Sequence, residues 1–331
     1  MPTKTVPQTI ALDDAIAAAL LPARPARSHK GSFGKLLVIA GSVDYAGAAL
    51  LVCNAAGRAG AGLVTLATVE SLQPLFAAKV VEATTLSLPE DDVEEVDPEE
   101  ALARILDHDH DAMVVGPGLK PSLSMTDLIR SLLAGDEDGE PVPAVLDAEA
   151  LRSLATVDGW ASDVAARCVL TPHVGEFLRL RAADGLDPAK MGNLVFDDAR
   201  RAAAARDAAR DWGQVVVLKG ACTVIAEPGG RTAVSPFENP ALATAGTGDV
   251  LAGTIGALLA QGLGTFEAAQ LGVYLHGMAG EAVRARLGDA GLLASDLCPE
   301  LPLARKRLAE LVPAAPPASG APAAASERLV R

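Results

Sequence analysis

The sequence predicts an α/β fold: a three-layer sandwich with helices on both faces of a mostly parallel central sheet. Three observations carry this expectation. Short β-branched runs alternate with longer Ala-rich stretches of helical length, and such alternation implies parallel strands joined by helical crossovers. Most of the strand runs are continuously apolar rather than alternating, as strands buried on both faces are. The 331 residues are 50% hydrophobic but only 3% aromatic, enough for a large core packed from Ala, Val and Leu.

Taken in order, the strand runs are Lys35–Ala40, Leu63–Ala67, Glu82–Leu88, Ala112–Val115, Ala144–Leu146, Cys168–Leu170, Val215–Leu218 and Thr223–Ala226. The helical stretches between and after them are Ala46–Ala59, Leu123–Leu133, Gly175–Arg181, Asp197–Trp212, Asp249–Gln261 and Phe266–Leu287. Glu-Pro-Gly-Gly at 227–230 reads as a turn between two short strands, so a hairpin over 223–235 is expected to end the sheet. The expected organisation is one domain over residues 1–311, with an acidic insertion near 90–111 whose residues 90–100 read as a solvated loop. A Pro/Ala-rich tail at 312–331 reads as disordered.

The formal net charge of −14 is local. Residues 90–111 hold eleven acids and one Arg, and residues 136–140 hold four acids; the remaining 27 acids balance 27 bases. No basic stripe or aromatic platform is present, which argues against nucleic acid as a partner. No apolar run is long enough to span a bilayer, and the N-terminus lacks a signal pattern because Asp13 and Asp14 interrupt it. The four cysteines, Cys53, Cys168, Cys222 and Cys298, lie far apart and read as buried free thiols in a reducing compartment. A cytoplasmic protein is expected.

Parallel sheets bind ligands beyond the carboxyl ends of their strands. Glycine and polar punctuation falls at five such ends: Gly41-Ser42, Gly116-Pro117-Gly118, Asp147-Ala148, Thr171-Pro172-His173 and Lys219-Gly220. The run Ala243–Gly253 adds Gly246-Thr247-Gly248-Asp249 ahead of a long apolar helix. Orphan amides and the partial positive charge at such a helix start attract phosphate. Gly248 and Gly253 have Walker A spacing and Thr254 follows, but the lysine is missing, so an ordinary P-loop is not expected. Taken alone, Asp249 is either a helix cap or a base. With the other strand ends on the same rim, it reads as both.

These motifs resemble a known family. In chain order they are His29-Lys30-Gly31-x-x-Gly34, Ala40-Gly41-Ser42, Gly47-Ala48-Ala49, Gly60-Ala61-Gly62-Leu63-Val64, Gly116-Pro117-Gly118-Leu119, Leu146-Asp147-Ala148, Thr171-Pro172-His173-x-Gly175-Glu176, Leu218-Lys219-Gly220-x-x-Thr223, Gly246-Thr247-Gly248-Asp249-x-Leu251-x-Gly253 and Tyr274-Leu275-His276-Gly277. Together they resemble the ADP-dependent NAD(P)H-hydrate dehydratases, over about residues 11–290. The resemblance implies a ribokinase-like fold and repair of hydrated NADH and NADPH, with ADP as phosphoryl donor and AMP and phosphate as products. The short stretch ahead of His29 leads to the expectation of a stand-alone dehydratase rather than one fused behind an epimerase.

The resemblance also assigns roles. Asp249 is the catalytic base and touches substrate. Ala48, Gly118 and His173 match positions that contact the hydrated nicotinamide nucleotide. Lys219, Gly220, Ala221, Cys222, Thr223 and Gly248 border the nucleotide, and the amides of Gly246, Thr247 and Gly248 form the anion hole, with the Asp249 amide beside them. Glu176 either helps hold Mg2+ through water or caps a helix. A homotetramer is the assembly implied. Related vitamin kinases of this fold carry Asn where His173 stands, which favours the dehydratase over an ATP-dependent small-molecule kinase; a non-catalytic nucleotide sensor is the third alternative. The chain departs from the family pattern at Lys120, Val174 and Ala245.

Two further features read as structural. Asp107-His108-Asp109-His110-Asp111 resembles a metal cluster but reads as a solvated turn, and His276 reads as a satisfied core or interface histidine.

Overall fold

In the computed structural model, which describes residues 9–134 and 142–311, the continuously apolar runs form the middle of a ten-stranded sheet. The expected tail at 312–331 and the four acids at 136–140 lie outside the described residues. The strands are β1 (Thr9–Ala11), β2 (Lys35–Ile39), β3 (Leu63–Val69), β4 (Thr84–Leu88), β5 (Glu90–Asp92), β6 (Glu95–Val96), β7 (Ala112–Val115), β8 (Ala144–Leu146), β9 (Cys168–Leu170), β10 (Val215–Leu218), β11 (Val224–Ala226) and β12 (Thr232–Val234). The main sheet runs β1-β12-β11-β10-β9-β8-β7-β2-β3-β4. From β10 to β4 every neighbour is parallel; β11 and β12 form the expected antiparallel hairpin, and β1 joins β12 in parallel.

The helices are α1 (Asp14–Ala19), α2 (Ala46–Ala59), α3 (Gln73–Ala77), α4 (Pro98–Leu106), α5 (Leu123–Ala134), α6 (Glu149–Leu154), α7 (Val174–Ala183), α8 (Asp198–Trp212), α9 (Thr247–Ala260), α10 (Thr265–Leu287), α11 (Ala294–Leu297) and α12 (Glu300–Leu311). One layer contains α2, α9, α10 and α12, with α9 against β7, β8 and β2; α4 to α8 form the other. Small residues let α2 and α9 lie close and side by side. Gly246 abuts Leu51, Gly253 abuts the Val52 backbone, and Gln261 donates to the Ala59 carbonyl at 3.3 Å. The two helices therefore start at the same end of the sheet, where β2, β7, β8, β9 and β10 finish. One continuous apolar core joins both layers.

The structure corrects three expectations. Residues 90–100 are not a loop but the two-stranded β5–β6 hairpin followed by the start of α4. Asp97 caps that helix, its Oδ1 accepting from the amides of Glu99 and Glu100 at 3.0 Å, and Pro98 opens the first turn; acids there complement the helix dipole. The hairpin leans on the rim, with Glu94 Oε1 accepting from the Val43 amide at 2.9 Å and Glu95 paired with Lys120 at 3.1 Å. All four cysteines are free and three are buried, but Cys222 is half-buried in a loop. The long helix begins at Thr247, two residues before Asp249.

The Asp107–Asp111 segment is a turn, as expected. Lys35 pairs with Asp109, and the Lys35 amide donates to Asp111 at 2.8 Å, anchoring the start of β2.

Candidate active site

Five adjacent parallel strands bring their carboxyl ends to one rim, and a buried ion network sits at its centre. Asp147, just past β8 and 2% exposed, accepts from Thr171 Oγ1 at 2.8 Å and from Lys219 Nζ at 2.7 Å. Lys219 lies just past β10, and its Nζ is also 3.9 Å from Glu176. Burial works to lower the Lys219 ammonium pKa, but the Asp147 and Glu176 carboxylates overcome it, so the group stays charged. A single bridge between His173 and Lys219 extends the β9–β10 pairing and holds the two loops together.

His173 is the N-cap of α7. Its Nδ1 accepts from the amides of Gly175 at 3.0 Å and Glu176 at 3.2 Å, which leaves the proton of the neutral ring on Nε2. Glu176 completes the capping box by accepting from the His173 amide at 2.9 Å. One Glu176 oxygen is thus committed to the helix start, as the cap reading expects, while its carboxylate still faces the ammonium of Lys219.

The Gly-Thr-Gly-Asp turn lies against this network. A Cβ on Gly248 would sit 3.4 Å from Lys219 Nζ and 3.7 Å from Asp147 Oδ2. Gly246 is the N-cap of α9, and the first helical bond runs from the Val250 amide to its carbonyl at 3.2 Å. The Thr247 amide reaches back to Thr244 at 3.4 Å, whereas the amides of Gly246, Gly248 and Asp249 meet no acceptor among the described residues. Three open amides at a helix start form an anion-binding corner. Thr247 Oγ1 braces the turn on the carbonyls of Leu242 and Thr244, both at 2.9 Å. His276 Nε2 meets the Thr247 carbonyl at 2.9 Å; burial lowers its pKa to about 4, so it is a neutral, satisfied core histidine as expected. Ala245 is not in a left-handed conformation, so its departure from glycine leaves the turn intact.

Asp249 is not a cap. It occupies the third position of α9, caps no amide there, and has no hydrogen bond contributing to its acidity. Burial, and then the charge of Asp147, raise its pKa to about 7 against the opposing pull of Lys219. The cap half of the double reading falls, because Gly246 already fills the capping position.

Beside the network is a cavity of about 470 Å³. Lys219, Gly220, Ala221, Thr223, Thr247 and Gly248 line it, joining most of the expected nucleotide residues in one place. Cys222 is not among them; its thiol donates to Glu238 at 3.3 Å. The sequence reading missed the far wall, made by Phe237, Asn239, Leu242 and Val273. The turn-forming Asn239-Pro240 after the hairpin was its one local signal.

Ala48 and Gly118 lie together on the other half of the rim. Gly118 has φ +67, and a Cβ there would come within 2.7 Å of the Tyr45 carbonyl and 2.8 Å of the Ala48 Cβ. Close packing of the Gly118 loop on the start of α2 therefore requires glycine. Two of the motifs do not belong to the rim. His29–Gly34 precedes β2 and Gly60–Gly62 follows α2, both at the opposite end, where the Gly62 amide binds the Gly34 carbonyl at 3.0 Å.

A family model described as NAD(P)H-hydrate dehydratase matches residues 36–303. A bifunctional NAD(P)H-hydrate repair enzyme of Moorella thermoacetica is 41% identical over 294 residues, covering 88% of this chain and 53% of that protein. The chain thus spans about half the length of the bifunctional relatives. An ADP-dependent (S)-NAD(P)H-hydrate dehydratase of Neisseria meningitidis is 37% identical over 291 residues, covering 86% of this chain and 90% of that one. An ADP/ATP-dependent NAD(P)H-hydrate dehydratase of Bacillus subtilis, co-crystallised with ATP and Mg2+, superposes with a TM-score of 0.73 at 33% identity, covering 89% of this chain and 97% of that one. The expected ribokinase-like architecture is the one found.

Proposed function

The chain belongs to the NAD(P)H-hydrate dehydratase family, and we propose that it dehydrates hydrated NADH and NADPH at the expense of ADP, restoring the cofactor and releasing AMP and phosphate. The observation that carries this reading is the Asp249 carboxylate, uncommitted to any cap, beside three open amides and the Lys219–Asp147 pair. Asp249 takes the proton of the ring hydroxyl as that oxygen attacks the terminal phosphorus of ADP, and the bond to AMP breaks. The amides of Gly246, Gly248 and Asp249, with Thr247 holding the turn, stabilise the charge on the transferring group. The ring-nitrogen lone pair then expels phosphate from carbon 6, and proton loss from carbon 5 restores the dihydronicotinamide.

Lys219, Gly220, Ala221, Thr223 and Gly248 border the nucleotide, and Cys222 helps shape their loop through the bond of its amide to the Phe237 carbonyl. Ala48, Gly118, His173 and Asp249 face the hydrate. Magnesium is the implied metal. No three His, Cys, Asp or Glu side chains converge on one point among the described residues, which suits an ion held mainly by water and phosphate. Glu176 and Asp147 would hold it through water, where it neutralises charge on the ADP phosphates. The same reading makes the domain span residues 1–311 and the enzyme a cytoplasmic homotetramer, which sedimentation velocity tests.

The deciding assay supplies hydrated NADH with ADP and magnesium. The expected result is recovery of the dihydronicotinamide absorbance, with one AMP and one phosphate released per NADH. A stable phosphorylated product formed from ATP instead would identify a small-molecule kinase. No recovery with either nucleotide would sink the proposal.

A further inference from the structure

The loop Gly220–Thr223 rests on a buried guanidinium to which neither the motifs nor the function above gives a role. Arg201, on α8, is 1% exposed. Its Nη2 donates to the Ala221 carbonyl, to the Cys222 carbonyl at 3.4 Å and to Asp198 Oδ1 at 2.7 Å. Its Nη1 lies 2.8 Å from where a Cβ on Gly220 would stand, so a side chain there would have to displace the guanidinium. The Ala221–Cys222 peptide is held at both edges. Its carbonyl faces Arg201, and its amide donates at 2.9 Å to the carbonyl of Phe237, a residue of the cavity wall. Cys222 is left-handed at φ 51, a conformation that a non-glycine side chain keeps only when its surroundings impose it.

Core packing does not account for this arginine. Burying a guanidinium is expensive, and an apolar side chain of similar volume would serve a core at least as well. Among the described residues its one carboxylate partner, Asp198, is largely exposed, and its Nε is buried without a partner. What the guanidinium supplies is one buried, charged nitrogen, Nη2, shared between two successive carbonyls and the Asp198 carboxylate.

We propose that Arg201 is a positioning residue for nucleotide binding, holding the Gly220–Thr223 loop in the shape that receives a nucleoside diphosphate. The proposal rests on the reading of this cavity as the ADP site.

The test is Arg201→Met and Arg201→Lys in the full chain, with ADP affinity measured by calorimetry in the absence of hydrate and KM and kcat measured in the repair assay. Arg201→Met is expected to raise both Kd and KM for ADP about ten- to a hundredfold, the range for losing hydrogen bonds from a charged group. The kcat at saturating ADP and the KM for hydrate should stay within about threefold, as expected when only binding is lost. Arg201→Lys, which keeps the charge but stops one atom short of Nη2, should recover part of the affinity. Asp198→Asn should change ADP affinity by no more than about twofold, because the amide keeps an oxygen that accepts from Nη2. Wild-type ADP affinity in Arg201→Met, or a fall in kcat with KM for ADP unchanged, overturns the proposal. If Arg201→Met does not fold, wild-type affinity in Arg201→Lys overturns it instead. A wild type that binds ADP but restores no NADH sinks the dehydratase reading alone, whereas one that restores NADH while the variants keep its affinity sinks the loop role alone.

Discussion

A carboxylate makes a stronger base at neutral pH when its pKa is lifted towards 7 and its oxygens are not already engaged. Asp249 meets both conditions, and the same environment sets its cost to stability. Burial raises its pKa from 3.8 to about 7, with the Asp147 charge adding to the shift. The native state therefore binds a proton more tightly than the unfolded chain does, and stability falls as pH rises from about 4 through about 7. Turnover runs the other way, because the base works only when ionised, so kcat/KM should climb through about pH 7 and level off above it. Asp249→Asn separates the two effects. It should lower kcat by about 10² to 10⁴, the usual worth of a general base, while melting at a higher temperature than wild type at pH 8 and at about the same temperature near pH 4. Near-wild-type turnover in this variant would show that Asp249 is not the base.

Among the elements, those visible in the sequence carry their signal locally. Strands β7 to β10 are apolar on both faces and coincide with the expected runs, and α2 matches the expected Ala46–Ala59. Besides the short helices α1, α3, α6 and α11 and the C-terminal α12, the elements missed include β1 and α4, which show two causes: a partner far along the chain and a misread composition. β1 is three residues long and becomes a strand by pairing with β12, more than two hundred residues away. In α4 the signal was present: Asp97-Pro98-Glu99-Glu100 is a helix start, obscured by the surrounding run of acids. Asp97→Ala should therefore cost about 1 kcal/mol in urea unfolding, as cap removals do, with activity unchanged; an unaltered midpoint would return the segment to a loop. Gly118→Ala tests the other half of the rim. Its added methyl meets the Tyr45 carbonyl and the Ala48 Cβ, so it should push the Gly118 loop off the start of α2 and raise KM for hydrate more than KM for ADP.

At the scale of the whole molecule, the candidate site is a product of the parallel sheet, which delivers residues from widely separated stretches of chain to one rim. Glycine turns, Lys219 and Asp249 were legible because each marks a strand end or helix start by itself. The pairing of Asp147 with Lys219, the grip of Arg201 on its loop and the wall from Phe237 to Val273 were not, because each exists only once distant strands are neighbours. The cavity half of the rim, the proposed nucleotide site, is built from the end of β10, the loop after β12, α9 and α10. The half with Ala48 and Gly118 is built from α2 and the end of β7. A ligand of the first half therefore ties together segments that are distant in sequence but part of one core, and its binding should stabilise the whole fold. At a hundred times its dissociation constant, ADP should add about 2.7 kcal/mol, a rise of roughly 4 °C in melting temperature for a domain of about 300 residues. Asp249→Asn should keep this shift in full, since in the proposed mechanism Asp249 takes a proton from the substrate and does not hold the nucleotide. Thermal unfolding of both proteins with and without ADP checks it. A shift lost in Asp249→Asn would mean that the carboxylate also shapes the anion-binding corner, and its fall in kcat could then not be assigned to proton transfer alone.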